Sequence, residues 1–223
     1  MLTTLAHCPL FAGLTDDQIQ DCLGCCHAVV SSYDRGQSVF RQGDAPENLL
    51  VLLSGAVRIT ALTTGGQRRV IAAFHQPGEL FGEVFLFLPD AVYEHSAEAA
   101  APAKVLCLPR DFFFYTKGCD YHEKLVFNLL SVFADKAYYL NKRVQILSCG
   151  SLRQKLARIL LHHAEDGVNG QLPMDREGLA EFLSVTRPSV SRELARMQAE
   201  GLIEISRSKF RLLDREALEE LAF

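Results

Sequence analysis

The sequence predicts an α+β chain in which an antiparallel β-roll is followed by a long helix and a winged helix-turn-helix. Three patterns carry this prediction. Short apolar runs separated by glycines fill residues 29–108, which is typical of a small antiparallel barrel or roll. A heptad repeat then extends over residues 126–147, and residues 175–197 have the two-helix pattern of a helix-turn-helix.

Length and composition fit two packed domains. The chain has 223 residues, of which 48% are hydrophobic. No apolar run approaches the ~18–20 residues that span a bilayer, and the first residues lack the basic and apolar regions of a signal peptide. Seven cysteines, an odd number, argue against a disulfide framework. We therefore expect a cytoplasmic protein with reduced thiols and no membrane segment.

The charge is distributed unevenly along the chain. The net charge is −4, which does not by itself indicate a nucleic-acid binder. Residues 1–118 carry 8 basic and 12 acidic groups, whereas residues 153–211 carry 10 basic and 8 acidic groups. Any affinity for DNA should therefore depend on a few well-placed arginines and not on a general positive field.

The N-terminal elements follow from local patterns. Short helices are predicted within residues 9–27, where Thr15 and Gln18 match a capping box. Glycines such as Gly55 separate the predicted strands, which are residues 39–40, 49–53, 57–61, 69–74, 80–81 and 103–108. Gly65-Gly66 predicts a hairpin between two of them. A short helix over residues 111–117, ended by Gly118, completes this domain.

The long helix has two apolar rows. Its heptad seam consists of Val126, Leu130, Phe133, Ala137, Leu140, Val144 and Leu147, and the row beside it consists of Leu125, Leu129, Val132, Tyr139 and Ile146. Such a helix contacts a partner helix with one row and its own domain with the other. Burial of the seam would contribute about 10–20 kcal/mol per chain, against an association cost of about 4–15 kcal/mol. The pattern therefore predicts a homodimer.

The C-terminal part begins where the heptads stop. Gly150 can end the long helix and Ser151 can cap the next one, which predicts three regions, residues 1–118, 119–149 and 150–223. After a loop at residues 167–170, the first helix of the helix-turn-helix ends near Leu183, and the second begins near Pro188. Two positions depart from the usual pattern. Ser184 replaces the common turn glycine, and Glu193 stands where an apolar residue is usual.

The second helix of this motif has the chemistry of a DNA reader. Its predicted outward face carries Arg187, Ser189, Ser191, Arg192 and Arg196. An arginine fork can bind the O6 and N7 atoms of guanine, and serines bind phosphates or base edges. Farther along, two short β runs flank the basic segment 207–209, which predicts a wing whose Lys209 contacts the DNA backbone.

Four segments together resemble the Crp/Fnr superfamily of bacterial transcription regulators. They are residues 34–44, 50–59, 77–83 and 186–194. The resemblance implies a cyclic-nucleotide-binding-like β-roll and a homodimer on a pseudo-palindromic site in double-stranded DNA. It also implies RNA polymerase as a partner and a small-molecule effector bound between the roll and the long helix. Pro188 stands where oxygen-responsive relatives carry a glutamate, so only Ser191 and Arg192 carry over as operator contacts.

The same resemblance gives a set of candidate effector residues, namely Glu83, His95, Ser96, Leu140 and Asn141. In cyclic-AMP relatives an Arg-Ser pair holds the phosphate, and here His95 stands in the arginine's place. A neutral imidazole does not reproduce a bidentate guanidinium. The hydroxyl pair of the family's long helix appears as Leu140-Asn141. The effector is therefore expected to be something other than cyclic AMP, and its identity stays open.

Redox or gas sensing is the alternative. Iron–sulfur relatives use an N-terminal cysteine cluster and one cysteine of the roll. Here Cys22 and Cys25 have ligand-like spacing, but Cys107 is displaced by one residue, which reverses its direction in a strand. The haem ligands that the sequence offers are His7, His27, His75 and His95. An apolar pocket near Phe81, Phe85 and Phe87 for a small hydrophobic or aromatic ligand is equally open. No metal ligand or cofactor is assigned, and no catalytic motif is found.

Overall fold

A computed structural model describes residues 1–62, 68–115 and 119–222 of the chain. It divides into two compact units, Met1–Ala134 and Asp135–Phe223, which are described separately below. One helix, α5 (His122–Leu147), contributes to both. The three-part division at residues 118 and 149 stays a prediction.

The first unit begins with short helices, of which the first, at residues 2–5, lies before the predicted range of residues 9–27. They are α1 (Leu2–Leu5), a 3₁₀ turn (Pro9–Phe11) and α2 (Asp16–Cys25). The capping box at the start of α2 is confirmed, because the Thr15 and Gln18 side chains each accept a hydrogen bond from the other residue's backbone N–H. Ile19 and Cys22 face inward and are fully buried.

An antiparallel β-roll follows, which confirms the predicted fold. Its strands are β1 (Val29–Tyr33), β2 (Ser38–Phe40), β3 (Asn48–Leu62), β4 (Arg68–Phe74), β5 (Leu80–Phe81) and β6 (Ser96–Pro109). The order β1-β6-β3-β4 forms the main path, with β2 paired to β6 and β5 to β3. Two short helices, α3 (Glu83–Leu86) and α4 (Arg110–Phe114), connect the strands and lead toward α5.

The predicted strand break at Gly55 is wrong. The runs on either side of it form one strand of 15 residues, β3, and the chain passes through Gly55 with φ +85° while the pairing register with β6 shifts. A Cβ atom at Gly55 would overlap the carbonyl oxygen of Pro102. A glycine is therefore required here inside a bulged strand and not at its end.

Other boundaries also differ. Strand β6 begins at Ser96, seven positions before the predicted residue 103, because pairing with β2 and β3 extends it through an alanine-rich segment. Helix α4 ends at Phe114, before the predicted residue 117. The predicted hairpin glycines Gly65-Gly66 and the stop at Gly118 lie outside the described residues, although β3 and β4 do pair antiparallel.

Helix α5 has one buried row and one exposed stripe. Leu125, Leu129, Val132 and Ile146 are buried, as predicted, but Tyr139 of the same row is 53% exposed. On the predicted seam, Leu130, Leu140 and Val144 are 55–60% exposed. Val126, Phe133 and Leu147 are partly buried against the cores of their own units. The single chain therefore leaves an apolar stripe uncovered.

The second unit packs four further helices on a small sheet. The helices are α6 (Leu152–His162), α7 (Arg176–Leu183), α8 (Arg187–Ala199) and α9 (Arg215–Ala222). The sheet order is β7-β9-β8, formed by β7 (Asn169–Gln171), β8 (Ile203–Ser206) and β9 (Lys209–Leu212). Ser151 caps α6, as predicted. The predicted loop at residues 167–170 is shorter than expected, because Asn169 already pairs with Arg211.

Candidate nucleic-acid interface and ligand sites

A tight turn joins α7 to α8. Ser184 ends α7 with φ +56°, the left-handed conformation for which glycine is the usual residue. Thr186 then caps α8 by accepting a hydrogen bond from the backbone N–H of Ser189, and Pro188 lies in the first turn, where it costs no hydrogen bond. The serine fulfils the glycine's role at the cost of some backbone strain, about 1–2 kcal/mol.

The buried face of α8 fixes which side chains face outward. Val190, Leu194 and Met197 are no more than 1% exposed and belong to the same core as Leu179 and Leu183 of α7. The opposite face is left to solvent. The helical residues exposed there include Arg187, Ser191, Arg192 and Arg196.

The arginines on this face are held only loosely. Arg187 Nε lies 3.8 Å from Glu177 Oε2, and Arg196 Nη1 lies 3.5 Å from Glu193 Oε2. Arg192 forms no ion pair with any described residue and reaches only the Ser189 hydroxyl, at 3.5 Å. Exposed pairs of this kind contribute about 0–1 kcal/mol. The guanidinium groups can therefore exchange these contacts for a nucleic acid at little cost.

Ser189 differs from its neighbours on this face. It is half-buried, and its hydroxyl lies 2.9 Å from that of Thr186, within the N-terminal cap of α8. The Ser189 hydroxyl, which the sequence predicts to be a DNA contact, is therefore already engaged in the cap of α8.

A basic hairpin follows α8. Strands β8 and β9 pair in register from Ile203–Leu212 to Ser206–Lys209, and Arg207 turns the chain with φ +54°. Arg207 and Lys209 are both exposed at this tip. The hairpin is the wing that the sequence predicts.

Glu193 has a structural role that the sequence analysis missed. Its side chain is 15% exposed, and Oε1 lies 3.6 Å from Arg153 Nη1 of α6. Arg153 also forms an ion pair with Glu200, which lowers the pKa of the Glu200 carboxyl. The departure from the usual apolar residue at position 193 is therefore an electrostatic link between α6 and α8.

The candidate effector residues fall in both units. Glu83 is buried at the start of α3, directly after Gly82 with φ +72°. His95 and Ser96 are half-buried at the start of β6, where the Ser96 hydroxyl accepts a hydrogen bond of 3.0 Å from the Gln42 N–H. Leu140 and Asn141 belong to the second unit and are exposed on α5.

A buried carboxylate beside Ser96 was also missed. Glu98 of β6 is 8% exposed and accepts hydrogen bonds from Arg58 Nε at 2.6 Å and from Arg68 Nη1 at 3.0 Å. The two arginines come from β3 and β4, and the register places Arg58 opposite Glu98. Glutamate within an alanine-rich run was the available signal. One carboxylate and two guanidinium groups leave this cluster with a net positive charge.

The phenylalanines named for the predicted apolar pocket make contacts with other aromatic rings. Phe81 is fully buried and packs on Phe74, with ring centroids 5.4 Å apart. Phe87 contacts Phe133 edge-on at 5.6 Å. Phe85 packs edge-on against Tyr93 at 5.7 Å. These ring contacts contribute to the cores of the first unit, and an apolar ligand pocket beside them stays a prediction.

A polar cavity of about 390 Å³ lies elsewhere in the roll. It is lined by side chains that include Asp44, Glu47, Tyr93 and Cys107. Burial raises the pKa of Tyr93 to about 12, and the nearby thiol and carboxylates add to the effect. The phenol is therefore neutral at physiological pH, so the cavity presents a phenol and carboxylates but no cation.

The cysteines cluster around the end of α2. Cys22 and Cys26 are buried, whereas Cys25 is exposed. The Cys119 thiol lies near those of Cys22 and Cys25, and burial, followed by the neighbouring thiols, raises the pKa of Cys22. Cys107 lies apart, 3.8 Å from the Ser31 hydroxyl. Within residues 1–62, 68–115 and 119–222, no three His, Cys, Asp or Glu side chains are arranged to hold a metal ion.

Comparison with known proteins identifies two matching families. The cyclic nucleotide-binding domain matches residues 30–115, and the Crp-like helix-turn-helix domain matches residues 154–221. No helix in the described part of the chain has the length and hydropathy to cross a membrane.

Individual relatives agree with these matches. The cyclic AMP receptor protein of Thermus thermophilus is 29% identical over 215 residues, covering 96% of this chain and 97% of that protein. The nitrogen fixation regulation protein FixK of Azorhizobium caulinodans is 29% identical over 198 residues, covering 85% of this chain and 77% of that protein.

A solved structure resembles the whole chain. The crystal structure of Thermus thermophilus catabolite activator protein matches with a TM-score of 0.53 and 29% identity, covering 96% of this chain and 98% of that one. The β-roll, the long helix and the winged helix-turn-helix occur here in the same chain as both family matches, which together span more than half of it. The chain belongs to the Crp/Fnr superfamily of DNA-binding transcription regulators.

Proposed function

We propose that this protein is a homodimeric transcription regulator that reads a pseudo-palindromic operator with α8 and changes its affinity when an effector binds. The carrying observation is the exposed face of α8, where Arg192 has no ion pair among the described residues and Arg187 and Arg196 have only loose ones. Ser191 lies beside them, and the exposed Lys209 of the wing would contact the backbone phosphates.

The exposed stripe of α5 supports the homodimer. Leu130, Leu140 and Val144 follow heptad spacing and are each more than half exposed. Large apolar side chains at such spacing are typical of a helix that packs against an identical helix. Two copies joined in this way would present two α8 helices to half-sites about one helical turn apart.

For the sensor function we propose only a class of effector. The match to a cyclic nucleotide-binding domain, with Glu83 buried in it, supports a small-molecule effector. His95 in place of a phosphate-binding arginine disfavours cyclic AMP, although one relative is named a cyclic AMP receptor protein. We propose in addition that the protein acts in the cytoplasm and that RNA polymerase is its partner.

Substitution of Arg192 tests whether α8 recognises the operator. Arg192→Ala removes a guanidinium that can bind a guanine, so affinity for the operator should fall by about 1–3 kcal/mol at fixed salt. Arg215→Ala is the matched control, since Arg215 is exposed in the same unit but lies on α9. The operator is first selected from random duplexes and then titrated by fluorescence anisotropy. Equal affinity of Arg192→Ala and wild type would reject this assignment.

Redox sensing is a second candidate, favoured by one observation. The thiols of Cys22, Cys25 and Cys119 lie close together in the first unit. Anaerobic purification followed by an absorbance spectrum and metal analysis distinguishes the candidates. A colourless, metal-free protein that still binds its operator in an effector-dependent way would exclude a haem or iron–sulfur sensor.

A further inference from the structure

A second, apolar cavity lies inside the unit Asp135–Phe223. Its volume is about 190 Å³, and its walls come from α5, α6, α7 and the segment before α7. The residues that shape its apolar part are Tyr139, Ile146, Ile159, Met174, Leu179 and Phe182. We propose that this cavity binds a small aromatic carboxylate.

The size and walls indicate a single ring. Engineered cavities of about 150 Å³ with aliphatic and aromatic walls stay dry and bind benzene. This cavity is somewhat larger, and Tyr139 and Phe182 meet edge-on in its wall with centroids 6.4 Å apart. An aromatic ligand can extend that edge-to-face arrangement, which a flexible aliphatic chain cannot.

Two cations give the cavity its charge preference. Arg143 lies with its guanidinium carbon 5.2 Å from the Phe182 ring centroid, and Lys142 Nζ lies 5.3 Å from the Tyr138 ring. Both residues line the cavity. Neither forms an ion pair with a carboxylate in the part of the chain that the structure describes.

Arg143 also carries an unused donor. Its Nε is buried and has no hydrogen-bond partner among the described residues, while Nη2 donates only a long bond of 3.5 Å to the Phe182 carbonyl. A buried donor without an acceptor costs free energy. The carboxylate of a ligand would accept a hydrogen bond from Nε and would also neutralise the charge of the guanidinium group.

His163 does not compete for this role. His162 and His163 line the cavity, and burial, together with the adjacent His162, lowers the pKa of His163. The His163 ring is therefore neutral at pH 7, and Arg143 and Lys142 supply the positive charge.

The position of the cavity would bring a bound ligand into contact with the helix-turn-helix. Leu179 and Phe182 belong to α7, the first helix of the helix-turn-helix, whereas Tyr139 and Ile146 belong to α5. A bound ring would contact both helices and bias their packing. This regulatory consequence rests on the proposed function, but ligand binding does not.

Binding is tested on the full-length, DNA-free protein by calorimetry and saturation-transfer NMR with phenylacetate as the probe. We expect one phenylacetate per chain. Phenylacetamide, which lacks the charge, and hexanoate, which lacks the ring, should each bind about tenfold more weakly or worse. Arg143→Gln should weaken phenylacetate binding by a similar factor. The matched control is Arg110→Gln, because Arg110 lies at the same 5.2 Å over Phe114 in the other unit.

Thermal unfolding verifies that each variant is folded, and Lys142→Gln provides a second, less buried test of the charge. A folded wild type that does not bind phenylacetate overturns the proposal. Equal binding of hexanoate overturns the choice of an aromatic ligand, and unchanged binding by both variants overturns the role of the cations. Because no DNA is present, a failure of operator recognition would leave these results unaffected.

Discussion

Glu193 of the recognition helix α8 lies 3.6 Å from Arg153 of α6, with its side chain largely buried. Arg153 also contacts Glu200. These ion pairs join α6 to α8, the helix proposed to enter the major groove. This charged link between α6 and α8 adds to the apolar contacts that Val190, Leu194 and Met197 make in the core.

Loss of Arg153 should destabilise the second unit. Arg153→Gln leaves the largely buried Glu193 carboxylate with only the loose contact to the exposed Arg196, and the expected cost is about 1–2 kcal/mol of unfolding free energy. Urea unfolding measures it. Arg187→Gln, which removes an exposed pair 3.8 Å long, should change stability by less than about 0.5 kcal/mol. Identical midpoints for the two variants would show that the link is only a surface contact.

A charge on the exposed stripe of α5 should prevent dimer formation. Val144→Glu places a carboxylate at a position that is 60% exposed in the single chain and that the heptad pattern assigns to the partner helix. We expect monomers in sedimentation velocity and weaker operator binding. Gln145→Glu changes the neighbouring exposed residue and should remain dimeric. A dimeric Val144→Glu protein would place the interface elsewhere.

The wing should contribute affinity without specificity. Lys209→Ala removes an exposed charge at the tip of the β8–β9 hairpin. Affinity should fall by a similar factor for cognate and mismatched duplexes, and the slope of log affinity against log salt should fall by about 1. A loss confined to one base pair of the operator would instead indicate a base contact.

Substitutions at two glycines distinguish the cost of backbone strain from the cost of steric overlap. Gly55 and Gly36 have nearly the same φ, +85° and +84°, but a Cβ atom meets Pro102 at Gly55 and nothing within 4 Å at Gly36. Gly36→Ala should cost about 1 kcal/mol through backbone strain alone, and Gly55→Ala should cost at least about 2 kcal/mol more because the β3–β6 bulge must shift. Chemical denaturation measures both. Equal costs would mean that β6 moves away freely.

The second unit should lose stability in mild acid. Burial lowers the pKa of His163, so the unfolded chain takes up a proton more readily than the folded one. This contribution to stability is complete above the ordinary histidine pKa of about 6.5 and is lost as the pH falls through and below that value. His163→Gln should therefore lose less unfolding free energy than wild type between about pH 7.5 and about pH 5.5. His7→Gln, an exposed change in the first unit, should behave as wild type.

Periodic patterns predicted the helices well. The buried row of α5 follows helical spacing, and the burial of Leu125, Leu129, Val132 and Ile146 confirms it. Tyr139 was misplaced because its hydroxyl and long ring tolerate exposure at the edge of an apolar row. The capping box at Thr15 and the helix cap at Ser151 depend only on residues three apart, which is why the box at Thr15 and a cap at Ser151 could be predicted.

The strands were harder because their partners are distant in sequence. Gly55 resembles a strand end locally, but β6 continues to pair on both sides of it, so the bulge is visible only with the partner present. Glu98 is similar, since its burial depends on arginines 40 and 30 positions away. The cavity beside Arg143 arises from three helices and a loop that no local pattern brings together.

Glu98 holds the guanidinium groups of Arg58 and Arg68 side by side on the roll. A change of this one residue to glutamine would remove the carboxylate that the two arginines share, and an arginine pair of this kind attracts phosphates and carboxylates. One substitution thus separates a roll whose arginines share a carboxylate from a roll that offers them to an anion. Such a change in anion preference requires no rebuilding of the sheet.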